Sequence, residues 1–506
     1  MKEEKNMRAS GVLLPISSLP SEYGIGTFSK EAYRFVEKLQ EAGQTYWQIL
    51  PLGPTGYGDS PYQSFSTYAG NPYYIDLEAL IGEGLLTREE CEACDFGDNA
   101  NYIDYEKIYF ARFDILRKAY ERSNIRENQD FIQFKEENSF WLGDYALYMA
   151  VKNKFDGRAW TEWDMDIRMR EPKAMRAYKE ELADEITFYE FQQYIFKKQW
   201  MNLKNYANER GIKIIGDIPI YVAFDGADAW ANPKLFQFDE NCHPVAVAGC
   251  PPDAFSATGQ LWGNPLYDWE YHKKTGYKWW VQRVSYCFQL YDVVRIDHFR
   301  GFDEYYSIPF GEETAVNGKW MPGPGYDLFK KLNSKLGDMD IIAEDLGFLT
   351  DTVLELLEKC GYPGMKILQF AFDSREDSDY LPHNYPKNCI VYTGTHDNDT
   401  VRGWYNVIPD ADKEFAAEYM NNHGANKEQI HWDFIRLAMA SVADTCIIPL
   451  QDYLGLGSEA RINIPSTLGC NWKWRMNKDD ITDEIVGKIK QLTKLYARIP
   501  VDKEEE

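Results

Sequence analysis

Eight short apolar runs recur along this chain, most of them followed by helical sequence, and no other feature constrains the fold as tightly. They are Gly11–Ile16, Tyr46–Leu50, Lys213–Ile218, Val293–Asp297, Asp340–Asp345, Met365–Phe370, Ile390–Thr395 and Thr445–Pro449. A strand buried on both faces reads as unbroken apolar sequence, so these are parallel strands rather than half-exposed antiparallel ones. Helices fall between them. Ser29 stands as N-cap to a helix whose apolar stripe is Ala32, Phe35, Val36 and Leu39, closed by Gly43. A long helix is predicted at about 186–210 and another over 350–360, ended by Gly361 and Pro363. The link between strands six and seven carries Pro382 and Pro386 and offers no good helix. Eight strands in mostly βα order predict an α/β fold, a closed (β/α)8 TIM barrel over residues 1–506.

Two stretches break the rhythm. Residues 83–185 are helical in pattern, polar and aromatic, without buried-strand runs, and are expected as a mainly helical insertion after strand two. Residues 224–270, with 52–75 and 453–475, are irregular and rich in Gly, Pro, Asn and aromatics. Loops after barrel strands build active sites, so these are expected as site walls, 224–270 as an active-site loop insertion.

The strands end in charge. Asp217 closes strand three, Asp297 strand four, Glu344 and Asp345 strand five, and His396-Asp397 strand seven. All fall at the carboxyl ends, where barrel enzymes place their chemistry. One such Asp is ordinarily a capped or salt-bridged strand end; four strands ending this way predict a shared acidic site. Arg295 and Asp297 lie two apart and so share a strand face. A carboxylate cluster without Cys/His spacing serves a hard cation or acid/base and nucleophilic work. Glycoside cleavage needs one ionised and one protonated carboxyl. Repulsion from Asp297 and Asp397 is expected to raise Glu344, while Arg295 keeps Asp297 ionised.

The remaining composition excludes several classes. A formal charge of −25 argues against nucleic acid or an anionic membrane as partner, and no run is long enough to span a bilayer. Nine scattered cysteines fit a reducing cytoplasm, and Cys91 and Cys94, a lone C-x-x-C among acidic neighbours, read as ordinary cysteines. An aromatic share of 15% suits a carbohydrate ligand, although a large core produces the same share.

Arg295-x-Asp297-His298, Glu344 and His396-Asp397 together resemble the motifs of the α-amylase clan. The finer pattern is similar to glycoside hydrolase family 77, the 4-α-glucanotransferases known as amylomaltases or disproportionating enzymes. Ser60-Pro61-Tyr62, Asp217–Val222 and the stretch Pro251 to Pro265 carry that likeness, and Trp472 does so more weakly. The matches run from about residue 11 to 475. The resemblance implies Asp297 as nucleophile, Glu344 as general acid/base and Asp397 as transition-state stabiliser. It implies substrate contacts from Ser60, Tyr62, Asp217, Asp253, Phe255, Trp262, Asn264, Arg295, His298 and His396. Tyr62 then stacks at the donor sugar, and Asp217, His298 and His396 bond its hydroxyls, while Arg295 orients the nucleophile. No cofactor and no metal are implied, nor a C-terminal β-sandwich domain. The expected partners are malto-oligosaccharides and α-1,4-glucans, with glucose or maltose as acceptor. Two other readings use the same residues: an amylase-like α-1,4-glucan hydrolase, and a silent glucan-binding protein. The intact trio of carboxylates speaks against the second.

Overall fold

The computed structural model describes residues 8–56, 58–252, 256–347, 349–422 and 427–499. In chain order its strands are β1 (Ala9–Leu13), β2 (Tyr46–Gln48), β3 (Lys213–Pro219), β4 (Ala246–Cys250), β5 (Gln260–Pro265) and β6 (Val293–Asp297). They continue as β7 (Glu304–Pro309), β8 (Lys319–Pro322), β9 (Ile341–Ala343), β10 (Gly364–Ile367), β11 (Cys389–Tyr392) and β12 (Thr445–Pro449). One eight-stranded parallel sheet runs β10-β11-β12-β1-β2-β3-β6-β9, and its members are the eight apolar runs of the sequence. Alternation along β6 sorts its side chains: Val294 and Ile296 join the large core shared with the helices. Val293 joins a separate cluster with Leu13, Ile215, Ile342, Met365 and Ile447, the packed inside of the barrel. Arg295 and Asp297 share the parity of Val293 and therefore point inward.

The barrel's seam lies between β9 and β10, which share no ladder. Two bonds bridge it: Ala343 N donates to Pro363 O at 3.0 Å, and Met365 N donates to Asp345 Oδ1 at 2.6 Å. Gly364 is required by this approach, because a Cβ there would lie 2.2 Å from Asp345 Oδ2. Asp345, read from the sequence as one more acidic strand end, is thus part of the closure of the ring.

The first helix, Lys30–Glu41, buries Ala32, Phe35, Val36 and Leu39, and Gly43 follows at φ +70°. Ser29 occupies its N-cap, but the hydroxyl caps nothing and finds no partner among the described residues. Ala32 N, the donor a capping hydroxyl needs, bonds the Ser29 carbonyl at 2.8 Å instead. Eight helices, from Leu77–Gly82 to Ala183–Glu209, lie between β2 and β3. The link from β10 to β11 holds only the 3-10 turns Leu368–Phe370 and Pro382–Asn384 among the described residues. A second sheet, antiparallel and ordered β5-β4-β7-β8, was not expected; two of its strands, β4 and β5, lie within the 224–270 stretch and the other two follow β6. After β12 come helices Leu450–Leu454 and Asp483–Leu495, and no further named strand among the described residues.

Candidate active site

Strand register sets the first contacts. Asp217 on β3 stands beside Arg295 on β6, and Pro219 beside Asp297. One guanidinium nitrogen, Arg295 Nη1, reaches Asp217 Oδ2 at 2.7 Å and Asp297 Oδ1 at 3.1 Å. Asp217 is fully buried and Asp297 is 30% exposed in its side chain, so the same cation holds one carboxylate in the wall and one at the opening. Burial pushes the Asp217 carboxyl upward, and the Arg295 charge opposes that push. Tyr62 adds a second donor, its hydroxyl bonding Asp217 Oδ2 at 2.8 Å. Burial and then the Asp217 charge raise the Tyr62 hydroxyl far above its ordinary range, which keeps it a donor. Ser60 serves that ring locally, accepting from Tyr62 N at 3.3 Å.

Glu344 follows directly after β9. Its N–H continues the β6 ladder to Ile296 O at 3.0 Å, and its carboxyl accepts His298 N at 2.7 Å and Leu346 N at 3.0 Å. His298 can aim its N–H there because its backbone turns left-handed, at φ +52°. The Glu344 carboxyl is raised to about 8, by burial first and the Asp297 charge second, while Arg295 and the two amides pull downward. Burial therefore leads, where the sequence pointed to repulsion alone, and Asp397 is not among its causes. The His298 imidazole is lowered by burial to about 4 and is neutral at pH 7. It meets the Trp262 ring edge-on at 4.9 Å.

Asp397 is held from two sides. Asn463 Nδ2 donates to its Oδ1 at 2.6 Å, and His396 Nε2 lies 3.4 Å from its Oδ2. Arg461 Nη2 bonds its main-chain oxygen at 2.7 Å, and Asn463 N bonds His396 O at 3.0 Å. The His396 ring stacks on Tyr62 at 5.1 Å and 16°, and Trp472 lies 5.9 Å from both. Asn463 and Arg461 escaped the sequence reading, which marked 453–475 only as a wall.

The covering side is built by β5 and the turn after β3. Trp262 is half-buried, its indole N–H bonding Gln260 Oε1 at 3.1 Å. Asn264 is buried; its Nδ2 donates to Val222 O at 2.8 Å and its Oδ1 accepts Gln63 Nε2 at 3.1 Å. It thus ties three segments together. Asp253 and Phe255 lie outside the described residues. The structure gathers Tyr62, Asp217, Arg295, Asp297, His298, Glu344, His396, Asp397 and Trp262 around one end of the barrel. Among the described residues no group of three or more His, Cys, Asp or Glu is placed to hold a metal ion. Cys91 and Cys94 are free thiols, and no helix among the described residues is long and apolar enough to cross a membrane.

The chain is similar over nearly its whole length to proteins of one family. The sequence profile of glycoside hydrolase family 77, described as 4-alpha-glucanotransferase, matches residues 14–481. A 4-alpha-glucanotransferase of Clostridium butyricum is 52% identical over 485 residues, covering 96% of this chain and 99% of that protein. One from Thermus thermophilus is 45% identical over 501 residues, covering 97% and 99%. An amylomaltase structure from Streptococcus agalactiae, in complex with acarbose, superposes with a TM-score of 0.94 at 43% identity, covering 97% of this chain and 100% of that one.

Proposed function

The chain belongs to the 4-alpha-glucanotransferase family, glycoside hydrolase family 77, and from that premise we propose that Asp297, Glu344 and Asp397 divide the work of moving a glucan segment. The observation that carries the reading is the asymmetric wiring of two carboxyls. Asp297 is paired with Arg295, whereas Glu344 keeps its proton up to about pH 8.

An α-1,4-linked donor lies with its C1 over Asp297. The Asp297 oxygen forms a bond to C1 as the C1–O4 bond breaks, and the Glu344 proton passes to the departing O4. Esterified Asp297 no longer carries charge, so the repulsion on Glu344 falls and Glu344 becomes a base. The 4-hydroxyl of an acceptor then attacks C1, its proton returns to Glu344, and Asp297 leaves; two inversions give net retention. Asp397, fixed by Asn463 and His396, grips ring hydroxyls as positive charge develops at C1. Tyr62 lies under the donor sugar, and Asp217, His298 and His396 bond its hydroxyls. Ser60 and Asn264 set the surrounding loops, with Asp253, Phe255 and Trp262 on the covering loop. Malto-oligosaccharides serve as donors, glucose or maltose as acceptors, and nine cysteines scattered without a disulfide-like framework support a cytoplasmic setting.

Maltotriose digestion tests this. Transfer yields glucose and chains longer than the substrate; only shorter sugars, with reducing ends rising steadily, overturn it in favour of a hydrolase. Asp297→Asn is expected to lower turnover by about 10⁴-fold or more while glucan binding persists. An unchanged rate removes Asp297 from the nucleophile's role.

A further inference from the structure

The turn leaving β3 carries the covering side of the site, and it is fixed from behind. Pro219 stands opposite Asp297 in the β3–β6 register and, lacking an N–H, gives no donor to the ladder there. Its carbonyl oxygen accepts Arg283 Nη2 at 2.5 Å. The next carbonyl, Ile220 O, accepts Arg283 Nη1 at 3.0 Å and the Tyr267 hydroxyl at 2.8 Å. Arg283 comes from helix Lys278–Leu290 and is 1% exposed, with its guanidinium 4.9 Å from the Trp280 ring and 5.4 Å from Trp279. No carboxylate among the described residues comes within ion-pair distance of it. Burying a cation with no carboxylate bonded to it is costly; two carbonyl bonds, the Tyr267 hydroxyl at 3.3 Å, two indole faces and the charge of the buried Asp228 farther off offset that cost here. Lysine reproduces the geometry poorly, because it offers one donor nitrogen where the planar fork offers two, one to each successive carbonyl.

What the fork holds leads straight to the side chains of β5 that flank the site. Tyr221, one residue on, lies 6.3 Å from the Trp262 ring and 6.4 Å from His298. Val222 O then accepts Asn264 Nδ2, and Asn264 Oδ1 accepts Gln63 beside Tyr62. We propose that Arg283 is a positioning residue for glucan transfer. By clamping the Pro219 and Ile220 carbonyls it holds Tyr221, Trp262 and Asn264 where a sugar hydroxyl, not water, meets the glycosyl-enzyme on Asp297. The proposal rests on the covalent reading of the site and adds to it what decides the fate of the intermediate.

Arg498 supplies the control. It is equally buried, also without an ion-pair partner among the described residues, and also spends its fork on carbonyls, those of Ala9, Met439 and Ala443 among them. Those carbonyls lie at the opposite end of the barrel. Full-length Arg283→Lys, Tyr267→Phe and Arg498→Lys are compared with the unaltered protein on maltotriose, with and without added glucose. The readouts are the ratio of transfer to hydrolysis, the KM for glucose as acceptor, the rate of donor cleavage and the Tm. Arg283→Lys is expected to lower the ratio and raise the acceptor KM by about tenfold each, with donor cleavage kept within about twofold. Tyr267→Phe, which removes one of two donors to Ile220 O, shifts both in the same direction by about threefold. Arg498→Lys lowers Tm and leaves the ratio unchanged. If Arg283→Lys does not fold, Tyr267→Phe decides alone. An unchanged ratio in every variant that folds overturns the proposal, as does an equal shift in Arg498→Lys. Absence of any product longer than maltotriose from the unaltered protein instead sinks the transfer reading itself, so the two failures are distinguishable.

Discussion

At the carboxyl end of the barrel Arg295 reaches two carboxylates on neighbouring strands, at 2.7 and 3.1 Å, whereas at the amino end Arg498 reaches only main-chain oxygens. Arg498 bonds Ala9 O, at the start of β1, and Asp444 O, just before β12, and so ties adjacent strand origins together. Arg8 repeats the device on Ser441 O and Met439 O. Carbonyl oxygens take up a cation's hydrogen bonds and leave nothing to react. Two carboxylates on one nitrogen leave charge in excess, with a third carboxyl, Glu344, forced to stay protonated nearby. One end of the ring uses burial for stability and the other uses it to hold groups in states water would not permit.

The comparison predicts that substitutions at the carboxyl end change rate and those at the amino end change stability. After Asp297→Asn, Glu344→Gln is expected to have the largest effect, lowering kcat by about 10² to 10⁴-fold. In the unaltered protein kcat/KM falls as pH rises through about 8, where Glu344 loses the proton it must donate; the variant's pH profile lacks that limb. The linked stability effect has a definite sign. The group's pKa is raised by folding, so its contribution is fully present below about pH 4.5 and is lost as pH rises toward 8. Glu344→Gln therefore gains thermal stability over the original at pH 7.5 but not at pH 4, which calorimetry at the two pH values checks. Arg498→Ala comes next: a loss of about 3–5 kcal/mol in denaturant unfolding, with turnover per folded molecule unchanged. A fall in turnover there breaks the division between the two ends. Tyr62→Phe is the smallest, keeping the ring on His396 but removing the bond to Asp217, at a cost of about five- to tenfold in kcat/KM for maltotriose.

The strands were legible because burial on both faces leaves a local trace, an apolar run a few residues long. Their charged ends were legible for the same reason: Asp217, Asp297 and Glu344 interrupt or follow those runs directly. The sheet of β4, β5, β7 and β8 left no such trace. Its strands contain Gly249, Gly263 and three terminal prolines, and β8 is partly exposed; the small residues of β4 form an apolar run too weak in bulk and branching to mark a strand. Ser29 was the right residue in the right place, yet its role fell to a carbonyl, a choice the backbone makes and residue type does not reveal. Asn463 and Arg461 reach Asp397 across more than sixty positions, through a loop whose path depends on bonds such as Trp472 N to Ile462 O. Contacts of that kind are written in tertiary structure, whereas a charged strand end is written in the strand.

Glu344 and Asp345 are consecutive, and they answer to different demands: the first is the proton donor of the proposed mechanism, the second bonds Met365 N across the seam of the ring. Glu344 therefore stands next to the one joint of the described ring where two bonds do what a ladder does elsewhere. Breathing of the barrel that starts at this joint first parts Asp345 from Met365 N, while Glu344 stays bonded to β6, which is laddered on both sides. On heating, the ring is therefore expected to part between β9 and β10 before any other pair of neighbouring strands, which earlier hydrogen exchange at the Ala343 and Met365 amides than at those of β6 checks.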